Sequence, residues 1–281
     1  DAILVESGIL AFLISIICTP FLIKLSLKKG LLAAVDHRSS HAYETPNTGG
    51  IVLGFATVIP LLTFSNYPKQ DDFSFLLSAF AVLLITGVID DFNPIPVFFK
   101  FLGQFIPAIV IVLSFEEQEL MIPFISEYMN LPSFFNYLFW IVFIVMSINA
   151  FNLIDGIDGL AICLGIAGGV FYLIKFLELG EDELTIFSVG LVGGLLGLLV
   201  FNFSKRNKIF IGDTGSLLIG GLLVFFGLKF ISKSEQGPPT HAFFLVLGSF
   251  FLPFADMIRV ALVRLLRKES PFKADRLHIH H

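Results

Sequence analysis

The sequence predicts an all-α polytopic integral membrane protein, with about nine transmembrane helices in one membrane domain over residues 1–281. Three observations predict it. Hydrophobic residues make up 56% of the chain and charged residues only 15%, whereas soluble domains are about half apolar and about a quarter charged. The apolar residues are gathered into runs near the roughly 20 residues that a membrane helix needs. None of these runs alternates with the period of a strand.

The spans follow in order. The first, 8–27, ends among Lys24, Lys28 and Lys29. The second, 49–66, follows "TPNTGG". The third, 73–89, runs into Asp90 and Asp91, with Asn93–Pro94 behind them. The fourth, 97–115, carries Lys100 near its start and ends at "SFEEQEL". The fifth, 134–151, holds "FFNYLFWIVFIVMSI", which has no charge. The sixth, 157–178, emerges from "DGIDG" and stays apolar until Lys175. The seventh, 184–203, follows "ELGEDEL" and closes on Asn202. The eighth, 216–232, follows "FIGDTGS". The ninth, 240–263, leads into Arg264, Arg267 and Lys268. No internal repeat or low-complexity linker divides them.

Cys18 and Cys163 both lie in apolar runs without ligand neighbours, which excludes a disulfide framework and a zinc site. No cleavable signal is visible, and the first residue is Asp1, so the N-terminus is expected to be incomplete. The charge pattern sets the orientation. Fourteen of the 18 Lys and Arg residues fall in one set of alternate loops, and Lys69, Lys175, Lys229 and Lys233 in the other. Positive loops stay inside, so the first set is expected in the cytoplasm and the N-terminus outside. "VDHRSSHAYETPNTGG", "GVIDDFNP", "NLIDGIDG", "NFSKRNKIFIGDTGS" and "FKADRLHIHH" then share the cytoplasmic side, which points to one site.

Asn152, Asp155 and Asp158 stand at i, i+3 and i+6, neighbours on one helix face. Acids within or beside membrane spans are costly and usually functional; the bland account is a "DG" turn. Asp90 and Asp91 repel unless a cation is bound, and negative charge opposes the dipole at a helix C-terminus. Simple helix termination before Asn93–Pro94 is the alternative. Asp213 lies between Gly212 and Gly215 before an apolar helix, where an anion is favoured; Thr214 or Ser216 would serve as an ordinary cap. His278, His280 and His281 are candidates for metal or pyrophosphate contact, against the reading of an expression tag. Arg38 and His41 are candidate phosphate or head-group contacts, and Lys100 a candidate phosphate contact. Loop polarity is the plainer account of Arg38 and His41, and marking the cytoplasmic edge is the alternative for Lys100.

Together "DD" at 90–91, "NLIDGIDGLA" at 152–161, "FIGDTGSLLIGG" at 210–221 and "HIHH" at 278–281 resemble the polyprenyl-phosphate N-acetylhexosamine-1-phosphate transferase family, from Arg38 to His281. The His-x-His-His form resembles the bacterial undecaprenyl-phosphate GlcNAc-1-phosphate transferases. The related phospho-MurNAc-pentapeptide translocase of peptidoglycan synthesis is the alternative. The resemblance implies transfer of GlcNAc-1-phosphate from the UDP-sugar to undecaprenyl phosphate, giving UMP, as the first membrane step of a cell-envelope glycan such as lipopolysaccharide or teichoic acid. It implies Mg²⁺, replaceable by Mn²⁺. Asp213 would be the main metal ligand, Asp90 the base and a further ligand, and Asp91 its partner at the metal. Asn152, Asp155, Asp158 and Asn202 would contact the nucleotide, Gly212 would let substrate approach, and the three histidines would meet the diphosphate or sugar. The expected location is the bacterial inner membrane, with the active site on the cytoplasmic face. Expected partners are the UDP-N-acetylhexosamine, undecaprenyl phosphate and the lipid bilayer, with a homodimer left open and no nucleic acid.

Departures from the family pattern are a short first loop, Asn47 where a basic residue is common, and "FSKRN" after Asn202. Family members also continue into further helices, which this chain is expected to lack. Three rival classes fit less well. An ion-coupled transporter places its acids near the midplane. A CDP-alcohol phosphotransferase needs Ala-Arg where Ile162 and Cys163 stand. A non-catalytic scaffold has no use for Asp90, Asp91 and Asp213.

Overall fold

A computed structural model describes residues 2–29, 45–65, 73–115, 120–125, 129, 132–234 and 239–266. The described residues form ten helices and no strand: α1 (Ala2–Lys29), α2 (Gly49–Phe64), α3 (Phe73–Phe92), α4 (Val97–Leu113), α5 (Ser133–Ile154), α6 (Leu160–Leu179), α7 (Asp182–Asn202), α8 (Gly212–Lys233), α9 (Pro239–Ser249) and α10 (Phe251–Leu266). Six of them are long and apolar enough to cross a bilayer. α2 and α4 are shorter, and α9 and α10 form a pair bent by 74°. The ninth span of the sequence reading is therefore broken. Pro253 has no N–H to give the carbonyl of Ser249, four residues back, which is where α9 ends.

Helix α8 is the axis of the bundle. Its apolar window is fully buried, as expected of a helix that is hydrophobic on every side, and α2, α3, α5, α6 and α9 pack around it. On the flank, α1 lies against α7 through small residues, because lipid gives helices no hydrophobic reason to associate and close approach must do it. Ser15 donates to the carbonyl of Gly194 at 2.9 Å, with Ser7, Ala11 and Thr19 buried in the same seam.

Chain reversals set the ends of the helices. Asn93, Pro94 and Pro96 separate α3 from α4, and Asp155 through Gly159 separate α5 from α6. The segment before α2 runs beside the segment before α8: Phe210 donates to Pro46 O at 2.8 Å, Gly49 to Phe210 O at 3.0 Å and Gly50 to Ile211 O at 2.9 Å. One end of the bundle thus collects the C-termini of α3, α5 and α7 and the N-termini of α2, α4, α6 and α8.

Candidate functional site

The first turn of α8 leaves backbone N–H groups without intrahelical partners, and the preceding residue, Ile211, has no side chain to cap them. Asp91 from α3 does so instead. Its Oδ1 accepts from Asp213 N at 2.8 Å and its Oδ2 from Thr214 N at 2.9 Å; Thr214 Oγ1 donates to Oδ2 as well. Asn47 Nδ2 donates to Asp91 Oδ1 and to its main-chain oxygen, both at 3.1 Å. Gly212 has φ +68°, and a Cβ there would overlap Asn47 O and the Asp91 carboxylate. The sequence reading puts Asp91 beside the metal. In the structure both its oxygens are occupied, and it serves as a cap delivered from another helix.

Asp90 is 8% exposed. Its Oδ1 accepts from Ile95 N at 2.9 Å and its Oδ2 lies 2.7 Å from Lys100 Nζ. Lys100 also reaches Asp213 Oδ1 at 2.6 Å. Asn152 Nδ2 donates to that same Oδ1 and, at 2.9 Å, to Ser216 Oγ. Asp213 is thus fixed by groups from α4 and α5, yet stays 35% exposed on the wall of an open cavity of about 270 Å³. Asp155, Asp158 and Gly159 contribute to that cavity, as do Asn202, Phe210 and Asn47.

The α5–α6 turn brings the remaining acids. Asp155, just past α5, has its pKa pushed well above the usual carboxylate range, first by burial and then by Asp213, Asp91 and Asp158, with Lys100 opposing them. Asp158 is ion-paired with Lys208, whose ammonium lies 5.1 Å from the Phe210 ring centre. Asn202 is buried and donates to Ile209 O at 2.9 Å, bracing the loop between α7 and α8.

Among the described residues no three His, Cys, Asp or Glu side chains form a ready-made metal cage. Mg²⁺ does not need one, since it takes one or two carboxylates and completes its shell with water and substrate phosphates. Asp213 and Asp155, both on the cavity wall, fit that requirement; each Asp91 oxygen already accepts two hydrogen bonds, and Asp90 is not among the residues that line the cavity. Arg38, His41, His278, His280 and His281 lie outside the described residues. Asn47, Thr214, Ser216 and Lys208 enter the site without having been picked out as site residues from the sequence. The sequence reading noted Asn47 only as a departure where a basic residue is common; its run "TPNTGG" packs on the start of α8.

The family model described as "Glycosyl transferase family 4" matches residues 73–231. A Bacillus subtilis protein named probable undecaprenyl-phosphate N-acetylglucosaminyl 1-phosphate transferase is 29% identical over 279 residues, covering 99% of this chain and 76% of its own. A phospho-N-acetylmuramoyl-pentapeptide-transferase of Borreliella burgdorferi is 32% identical over 309 residues, covering 97% of this chain and 85% of its own. A decaprenyl-phosphate N-acetylglucosaminephosphotransferase of Mycobacterium tuberculosis is 30% identical over 304 residues, covering 98% and 74%.

Proposed function

The chain belongs to glycosyl transferase family 4, and from that premise we propose that it moves GlcNAc-1-phosphate from UDP-GlcNAc to undecaprenyl phosphate, releasing UMP. One observation carries the reading: Asp90, Lys100, Asn152 and Asp213 come from four different helices and interlock at one end of the bundle. A site at the end of a bundle suits a reaction whose acceptor lies in the bilayer and whose donor is dissolved in water. The same placement disfavours a transporter, whose acids would sit near the midplane. The excess of Lys and Arg in this set of loops supports a cytoplasmic site.

In the proposed reaction an oxygen of the lipid phosphate attacks the β-phosphorus of UDP-GlcNAc. A new P–O bond forms, the bond from that phosphorus to the bridging oxygen of UMP breaks, and UMP leaves with the electron pair. Such transfers rest on positioning and charge neutralisation. Asp213 and Asp155 would hold Mg²⁺, which when bound offsets charge on the diphosphate and the leaving group. Lys100 adds positive charge between the reacting anions. Asp90 holds Lys100, and Asn152 holds Asp213. Asp91 keeps the start of α8 in place. The sequence reading makes Asp90 the base. Its burial and its two occupied oxygens favour instead a role in aiming the lysine.

The experiment is UMP release by the purified chain in detergent with undecaprenyl phosphate, across a panel of UDP-sugars, with and without Mg²⁺. UDP-GlcNAc should be the preferred donor. The Borreliella burgdorferi relative favours one second reading, UDP-MurNAc-pentapeptide as donor. UMP from that donor alone would move the assignment there, and silence with every donor would reject the activity.

A further inference from the structure

Helix α4 carries a buried amide that the site as described does not use. Gln104 is 0% exposed, and neither Oε1 nor Nε2 has a hydrogen-bond partner among the described residues. A leucine of similar size would fill the space without the cost of desolvating an unpaired amide. Gln104 stands one helical turn after Lys100, on the same face. Side chains on a helix lean toward its N-terminus, and the N-terminus of α4 is the end that bears Lys100. A lean in that direction would carry the amide toward the acid pair.

Thr86 reaches the same level from α3, one turn before Asp90. It packs so close to Gly103 that a Cβ there would overlap Thr86 Oγ1. Thr86 donates to Val82 O at 2.8 Å and keeps lone pairs to accept with. Lys100 has three N–H donors: one goes to Asp90 and one to Asp213. A buried unpaired amide and a hydroxyl thus stand within one helical turn of Lys100 at the contact of α3 and α4, the kinds of partner that one enclosed water needs.

Building on the transfer reaction proposed above, we propose that Gln104 is a positioning residue. Its amide and Thr86 Oγ1 form a polar floor that takes the third proton of Lys100 through one enclosed water. The floor keeps the ammonium between Asp90 and Asp213 when an anionic substrate competes for it.

The test compares Gln104→Leu, Gln104→Met and Gln104→Glu in the full chain, measuring UMP release and thermal melting in detergent. Leu and Met should melt close to wild type, because an apolar side chain of similar size fills the buried space without an amide to desolvate. Their kcat should nevertheless fall about tenfold, the worth of one hydrogen bond to a charged group, with KM for the UDP-sugar little changed. Glu keeps an acceptor oxygen and should recover most of the turnover. A residue that merely fills space predicts the reverse pattern. Wild-type turnover in the Leu or Met variant overturns the proposal, as does a Glu variant as slow as Leu, or a Leu variant that fails to fold. UMP release by wild type with unaltered variants removes this inference alone; no release by wild type removes the parent reading and this one together.

Discussion

Replacing Asp91 separates a structural cap from a metal ligand. In Asp91→Ala the amides of Asp213 and Thr214 and the hydroxyl of Thr214 lose their acceptor. Loss of a helix cap costs about 1–2 kcal/mol. A buried hydroxyl left unpaired adds about 1–3 kcal/mol. About 3 kcal/mol in all would lower the melting temperature by roughly 6–12 °C in a chain of this size. Asp91→Asn tests the same geometry more finely. One amide oxygen still accepts from Thr214, but the amide nitrogen then meets the N–H of Asp213 and Nδ2 of Asn47, donor against donor. About half the loss is expected, near 1.5 kcal/mol. The assay is thermal melting in detergent, with UMP release measured per folded molecule. A metal ligand would behave differently: Asn would abolish turnover and leave melting unchanged or raised. Unchanged melting in both variants would refute the cap.

Lys100→Met should cut kcat about 100-fold or more, because it leaves buried Asp90 without its ion-pair partner and removes a positive charge between two anions; full turnover would refute its placement. Chelation with EDTA should stop UMP release and added Mg²⁺ should restore it, with activity in EDTA the contrary result. Asp155 makes stability depend on pH. Its folded-state pKa is raised, so its contribution is fully present below the ordinary carboxylate range and is lost as pH rises through the raised value. In EDTA the melting temperature should therefore fall as pH increases, and Asp155→Asn should flatten that slope; an unchanged slope would remove the acid from the account. Gly212→Ala should destabilise by about 1–3 kcal/mol, since φ +68° disfavours any side chain there and its Cβ would meet the Asp91 carboxylate; wild-type melting would contradict the described turn.

The spans were legible in the sequence because lipid, acting as solvent, imposes composition directly. A run such as "FFNYLFWIVFIVMSI" needs no tertiary information to be placed in a bilayer. The acids were legible as acids at span ends for the same reason. What Asp91 does was not legible. Its four donors come from Asn47, Asp213 and Thr214, and the separations of 44, 122 and 123 residues leave no local trace. The break between α9 and α10 was hidden because a hydropathy window averages across Pro253. Asp256 was overlooked in the same stretch. It is 2% exposed and holds Arg259 at 2.8 Å, so the pair lowers its own electrostatic cost within one helix.

The division between legible and hidden residues follows their physics. A carboxylate that touches substrate must be charged, near water and close to the end of a span, and each of those properties leaves a mark on the sequence. A residue that aims such a carboxylate is buried, often neutral, and defined only by its neighbours. Gln104 is one amide within "FFKFLGQFIPAIVIVL" and does not interrupt the run. Asn47 looks like an ordinary turn residue. The groups that hold Asp213 in place, Asn152, Lys100 and Asp91, reach it from three other helices. A shift of any of those helices would misplace the acid without altering a residue that meets substrate. The packing around α8 therefore belongs to the chemistry as much as the acids do. Conservative changes at Gln104 or Asn47 should then lower turnover more than they lower stability.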